Sequence, residues 1–153
     1  MKTFYDAQWQ RLLTEVGTLR ISVLSSHVHE MRVATKKVMA VMRSLDQKET
    51  MEALRPLYHV CGSVREPEIM MAIMTAVSKQ IGGDVSPILR RLRAIRASSI
   101  RALKHELTLL DDAALATIQS AAEHVLLGMT ETTMESAREH YIKGRYKHIC
   151  KIS

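Results

Sequence analysis

The chain of 153 residues contains no asparagine, and aromatic residues make up only 4% of it. Scarce aromatics disfavour β-sheet architectures, because strands are enriched in aromatic and β-branched side chains. Ten methionines and many alanines and leucines favour helices instead. Asparagine is thermolabile and is depleted in heat-adapted proteins, so its absence is consistent with a hot-living host.

Disulfide, transmembrane and export signals are also missing. The two cysteines, Cys61 and Cys150, are too few for a disulfide framework. No run of 18 apolar residues occurs, and the opening sequence MKTFYDAQWQ lacks the apolar centre of a signal peptide. We therefore expect a protein that is neither secreted nor transmembrane.

Catalytic motifs are absent as well. The sequence has no glycine-rich phosphate loop, no H-E-x-x-H and no nucleophile elbow. Two H-x-C pairs, His59 with Cys61 and His148 with Cys150, would form a Cys₂His₂ zinc site if both were extended, but the spacing is not a recognised one. We expect no enzyme, no cofactor, no metal and no small-molecule substrate.

Capping residues and glycine stops predict an all-α, compact bundle of about six or seven short helices with a basic C-terminal tail. Capping boxes are expected at Thr3–Asp6 and Asp46–Glu49, and the clearest start is Ser86–Pro87. The predicted helices cover residues 3–25, 26–45, 46–61, 66–81, 86–110, 111–128 and 130–144, and the first two are either separate or one continuous helix. One domain, 1–153, comprises N-terminal helices 1–62, a helical core 63–144 and the tail 145–153.

One predicted helix is apolar on all sides, because residues 69–77 read IMMAIMTAV. Such a helix is either a central core helix or a helix shared with a second subunit. In the second case the assembly interface consists of Ile69, Met70, Met71, Ile73, Met74 and Val77.

Charge is distributed unevenly along the second half of the chain. Residues 87–104 carry six basic and no acidic residues, residues 105–140 carry seven acidic residues against Arg138 alone, and residues 141–153 carry four basic residues. The whole chain has a formal net charge of +6, which favours a polyanionic partner.

The predicted helix 86–110 separates apolar from basic residues when its positions are placed at about 100° per residue. One side holds Ile88, Leu92, Ile95, Leu103 and Leu110. The opposite side holds Arg90, Arg93, Arg101 and Lys104. Helix 26–45 repeats the arrangement with Arg32, Lys36 and Arg43, and the two helices are expected to lie side by side as one basic surface.

Three interpretations of these basic residues are open. They bind a polyanion, they pair with acidic residues of 105–140 or of a second subunit, or they are solvated. The first is favoured, with phosphates bound non-specifically and double-stranded DNA as the expected ligand. A membrane surface is disfavoured because helix 86–110 has neither Trp nor Phe.

A small, basic, asparagine-free helical chain with these basic stripes and the apolar segment 69–77 resembles the coat proteins of filamentous archaeal viruses. The resemblance implies a homo- or heterodimer that wraps double-stranded DNA in a helical filament, in a virion or the host cytoplasm. The chain is also similar to small helical subunits of CRISPR effector complexes. A third alternative is a helical protein–protein adaptor whose basic faces bind acidic partners.

Overall fold

The structure is a computed structural model that describes residues 2–128. This part of the chain is all-helical, as predicted, and has no strand. Turns of two to four residues connect five helices, and none of these helices is apolar over enough of its length to cross a membrane. They are α1 (Lys2–Ile21), α2 (Ser25–Ser44), α3 (Lys48–Ile81), α4 (Ser86–Leu109) and α5 (Asp112–Gly128). The predicted seventh helix, 130–144, and the basic tail, 145–153, lie outside the described residues.

The predicted break between helices 46–61 and 66–81 is wrong, because both belong to the continuous helix α3. Gly62, which follows the predicted end of helix 46–61, is helical and buried beneath the guanidinium group of Arg32. Pro67, in the first turn of the predicted helix 66–81, lies buried inside α3. Proline removes one backbone hydrogen bond, and packing on either side of this position holds the helix together nonetheless.

Side chains expected to cap helices are mostly used elsewhere. Thr3 lies inside α1, and the residue that precedes α3 is Gln47, without a side-chain cap. Ser25 lies within α2, and its hydroxyl hydrogen-bonds Glu68. Asp111 does act as predicted, since its Oδ1 accepts a hydrogen bond of 2.7 Å from the backbone N–H of Ala114 at the start of α5.

Two turns require a left-handed backbone. Asp46, between α2 and α3, has φ 55°, and Gly82, after α3, has φ 71°. The N–H of Gln47 bonds the carbonyl of Met42 at 2.9 Å, which closes the end of α2. Aspartate and glycine are among the residues that tolerate this conformation, so both turns have suitable sequences.

The hydrophobic core is built from only part of the chain. Helices α1, α2, α3 and α4 pack in sequence order, and α5 contacts α3. The centre contains Tyr5, Trp9 and Leu12 of α1, and the indole N–H of Trp9 donates to Gln119 Oε1 of α5 at 2.7 Å. All buried apolar side chains of the described residues lie within 5–67 and 103–126.

The middle of the chain forms a projection from this core. Residues 68–99 comprise the end of α3, the Gly82–Val85 turn and the start of α4, and none of them is buried. We call this helical hairpin the arm. Its two helices are antiparallel and pack on each other, so the predicted short-loop hairpin geometry is present here.

Candidate nucleic-acid interface

The basic stripe predicted on α4 is exposed along its whole length. Arg90, Arg93, Arg101 and Lys104 are all exposed, and they repeat on one side of the helix over about 21 Å at 1.5 Å per residue. Arg90 and Arg93 lie on the arm, whereas Arg101 and Lys104 lie where α4 joins the core. We call these four residues the α4 stripe.

No carboxylate within residues 2–128 lies within salt-bridge distance of the α4 stripe. The described acidic residues of the segment 105–140 form no ion pair with it, although Asp111 and Asp112 line the same cleft as Lys104. Asp112 pairs with Arg20 of α1 at 2.7 Å, and Glu123 accepts a hydrogen bond from Gln119. In the described part of the chain, pairing with 105–140 therefore does not neutralise the stripe.

Another arginine of α4 has a different role, which its sequence pattern did not predict. Arg96 is partly buried, and its Nε donates to Glu68 Oε1 of α3 at 2.7 Å. Arg65 Nη1 donates to Glu68 Oε2 at 3.0 Å, and the hydroxyl of Ser25 donates to the same carboxylate. We call these four residues the Glu68 cluster, and it joins α2, α3 and α4 where the arm leaves the core. The only sequence signal was that Glu68 directly precedes the apolar run.

The Glu68 cluster stabilises a carboxylate in a largely enclosed position, since the side chain of Glu68 is 13% exposed. Burial by itself raises the pKa of this carboxyl group. Hydrogen bonds from Ser25, Arg96 and Arg65, together with the charge of Arg96, outweigh burial and hold the pKa of Glu68 below its ordinary value. The cluster is therefore ionised and intact at neutral pH.

The three predicted basic residues of α2 divide into two groups. Lys36 and Arg43 are exposed. Arg32 instead lies across α3, with its guanidinium carbon 4.8 Å from the ring centroid of Tyr58, and it covers Gly62. This cation–π contact ties α2 to α3 and holds the guanidinium of Arg32 against the protein. We leave Arg32 out of the proposed surface.

The basic residues of α2 and α4 do not form one continuous surface, contrary to expectation. Helix α2 packs on α1 and α3, and α4 packs on α3. The two helices meet at the Glu68 cluster, where Arg96 Nη2 lies 3.4 Å from Ser25 Oγ. Lys36 and Arg43 lie about three and five turns further along α2 from this contact, and α3 takes the place that the prediction gave to α4.

The apolar segment 69–77 is not a central core helix in the described structure. Met71, Met74 and Val77 are half-buried, whereas Ile69, Met70 and Ile73 are exposed to between 44% and 48%. The prediction of a central core helix is wrong because the core is complete without this segment. The alternative, an interface with a second subunit, stays a prediction.

The apolar side predicted for α4 divides in the same way. Leu103 and Leu110 are buried in the core, but Ile88 and Ile95 on the arm are 49% and 45% exposed. Periodicity identified the correct face of the helix and could not show that the covering helix is missing from its first half.

The H-x-C pair at residues 59–61 lies inside α3, so it is not extended. Two residues apart on a helix, His59 and Cys61 point about 200° away from each other. Cys61 is buried, and burial raises the pKa of its thiol to about 12, so it is not an activated nucleophile. Residues 2–128 contain no group of three side chains placed to hold a metal ion. His148 and Cys150 lie outside the described residues.

Comparison with known proteins gives no relative for this chain: no family model matches it, and no curated protein or solved structure is significantly similar.

Proposed function

We propose that this chain is a non-enzymatic structural protein that binds double-stranded DNA through the phosphate backbone, with the α4 stripe as its main contact. The observation that carries the proposal is a set of four exposed basic residues on one side of a helix, none of which forms an ion pair in the described structure. Like charges on one face repel one another, and a polyanion removes that repulsion.

The shape of the α4 stripe favours non-specific binding. Its length of about 21 Å corresponds to about six base-pair steps of 3.4 Å each. Ala94 and Ala97 lie near the arginines on the exposed surface, and their small side chains allow a phosphate backbone to approach the helix closely. Arginines that meet phosphates position a protein on the duplex without reading its sequence.

The exposed Lys36 and Arg43 of α2 form a second, smaller contact in this proposal. They are separated from the α4 stripe by α3, so they would bind another part of a duplex or a neighbouring one. A subunit with basic residues on separated surfaces suits a protein that coats or packs DNA, as the resemblance to filamentous virus coat proteins implies.

Binding to a long random-sequence duplex over a series of salt concentrations tests the proposal. The affinity should fall steeply with salt, and the triple variant Arg90→Glu, Arg93→Glu, Arg101→Glu should reduce the slope of log K against log salt by about 3. Circular dichroism should show unchanged helix content, because all three side chains are exposed.

A matched control variant distinguishes the effect of losing the α4 stripe from the effect of changing the net charge. The variant Lys2→Glu, Lys48→Glu, Arg55→Glu makes the same change in charge at exposed positions away from α4, and it should keep most of the affinity. Equal losses in the two triple variants would contradict the site. Absence of duplex binding near physiological salt would contradict the function and favour an acidic protein partner. Preference for single strands or hybrids would favour the CRISPR-type alternative.

A further inference from the structure

The arm lacks a core of its own. Two antiparallel helices provide one interface between them, and here that interface leaves every residue from 68 to 99 at least partly accessible. Helix stability in proteins comes mainly from burying an apolar face, so the exposed apolar side of the arm requires another cover.

The exposed apolar side chains lie on the side of the arm away from the α4 stripe. On α4, Ile88 and Ile95 lie about 170° from the mean direction of the stripe at 100° per residue. Both helices are right-handed and they run in opposite directions. Met70 and Ile73 of α3 therefore lie on the same side of the arm as these isoleucines. We call Met70, Ile73, Ile88 and Ile95 the apolar face. With Ile69 at its edge, it presents on the order of 400–500 Å² of apolar surface, as much as the largest patch of a typical monomer.

Each helix of the apolar face also carries one charged residue. Glu66, Met70 and Ile73 are spaced four and three residues apart, so they follow one line along α3. Ile88, Arg91 and Ile95 follow one line along α4 in the same way. Glu66 and Arg91 are exposed, and neither forms an ion pair within residues 2–128.

Glu66 and Arg91 are too far apart to pair within one arm but are well placed to pair between two. Counted from the turn at 1.5 Å per residue, Arg91 lies about 8 Å and Glu66 about 22 Å along the arm. A two-fold axis midway between these levels passes beside residues 71 and 96, next to Met70, Ile73 and Ile95. The two-fold axis that brings Glu66 of one copy to Arg91 of the other therefore also places the two apolar faces against each other.

We propose that the arm is a homodimerisation element, in which two copies pair antiparallel through the apolar face. Glu66 of each copy then meets Arg91 of the other at the two ends of the interface. Pairing in the parallel direction would set Glu66 against Glu66 and Arg91 against Arg91, which disfavours it. The apolar face alone supplies roughly half of the about 800 Å² that each partner buries in a standard interface. The inference does not depend on DNA binding, because the α4 stripe lies on the other side.

Sedimentation equilibrium of the full chain without nucleic acid tests the dimer. The wild-type protein should be a dimer, and Ile73→Glu should be monomeric with unchanged helix content, since Ile73 is 47% exposed and a glutamate is accommodated in the monomer. A wild-type monomer up to about 100 μM, a weak limit for a specific interface of this size, would overturn the proposal. So would a dimer that persists in Ile73→Glu.

Charge reversal tests the pairing and its direction. Glu66→Arg and Arg91→Glu should each weaken the dimer by roughly tenfold at low salt, because each change affects both ends of a symmetric interface. The double variant should restore the wild-type dissociation constant. The neighbouring change Arg90→Glu, on the stripe side, is the matched control and should leave the dimer intact while weakening DNA binding. Failure of the double variant to restore the dimer, or an equal effect of Arg90→Glu, would refute the antiparallel pairing.

Discussion

The core and the arm both have apolar helix faces, but these faces are buried in the core and exposed in the arm. In the core, Leu57 of α3 is fully buried, whereas Ile73, four turns later on the same helix, is 47% exposed. The core is covered by α1, α2 and α5, whereas within residues 2–128 the arm meets another helix only at its root, where the Glu68 cluster joins it to α2. One continuous helix thus has its apolar side chains buried in the monomer core at one end and exposed at the other.

Truncating one apolar side chain in each region tests this difference in burial. Leu57→Ala should reduce the free energy of unfolding by about 2–5 kcal/mol, because it leaves a cavity in the core. Ile73→Ala should cost less than about 1 kcal/mol in the monomer, because much of its surface is already in contact with water. Urea unfolding of dilute protein measures both values, and equal costs would show that the arm is covered as well as the core.

The junction between the two regions is the next point to test. Glu68→Gln should lower stability by about 1–3 kcal/mol, because it leaves the partly buried Arg96 without its carboxylate. Glu52→Gln is the matched control: its partner Arg55 is 45% exposed, and such surface pairs contribute less than about 1 kcal/mol. A Glu68→Gln variant that is as stable as the control would show that the Glu68 cluster does not stabilise the fold.

The pH dependence of stability follows from the lowered pKa of Glu68. A carboxyl whose pKa is lowered by folding contributes stability above its ordinary pKa, and this contribution is lost as the pH falls through the lowered value. Unfolding followed from neutral to acidic pH should therefore show a loss in the wild type that is smaller in Glu68→Gln. Identical pH profiles would contradict the assignment.

The smallest expected effect lies at the tip of the arm. Gly82→Ala should cost about 1 kcal/mol, because alanine is strained at φ 71° even though the space around Gly82 is open. Gly83→Ala, beside it and also in open space but without a positive φ, is the control and should be nearly neutral. A loss in both variants would indicate that the turn is packed rather than strained.

Much of the helical content was predictable from local signals, and the start at Ser86, the stop at Gly82 and the cap at Asp111 are confirmed. The helix break predicted after Cys61 is wrong. Glycine and proline destabilise a helix locally, but the contacts that Arg32 and the Glu68 cluster make between helices offset this destabilisation. The prediction of a core position for segment 69–77 is wrong for a different reason. Hydrophobicity shows that a helix needs cover and does not show whether the same chain or another one provides it.

The candidate site was predictable in the same partial way. The α4 stripe follows from an acid-free run with helical spacing, and its exposure agrees with that pattern. Arg32 shares the spacing of Lys36 and Arg43, yet Tyr58, 26 residues away, determines where its guanidinium lies. Such a contact depends on the packing of two helices and leaves no periodic signal.

The position of Pro67 has a mechanical consequence. Proline supplies no N–H to the preceding turn, so α3 lacks one backbone hydrogen bond at the root of the arm, as it does at Pro56 in the core. From there to Ile81 the helix runs about 21 Å, and a rotation of about 10° at the root moves the tip by about 4 Å. The neighbouring Glu68 cluster joins the arm to α2 at this point, so it restrains the angle between the arm and the core. In the proposed dimer, a change at this one ionic contact would therefore change the angle between the two cores.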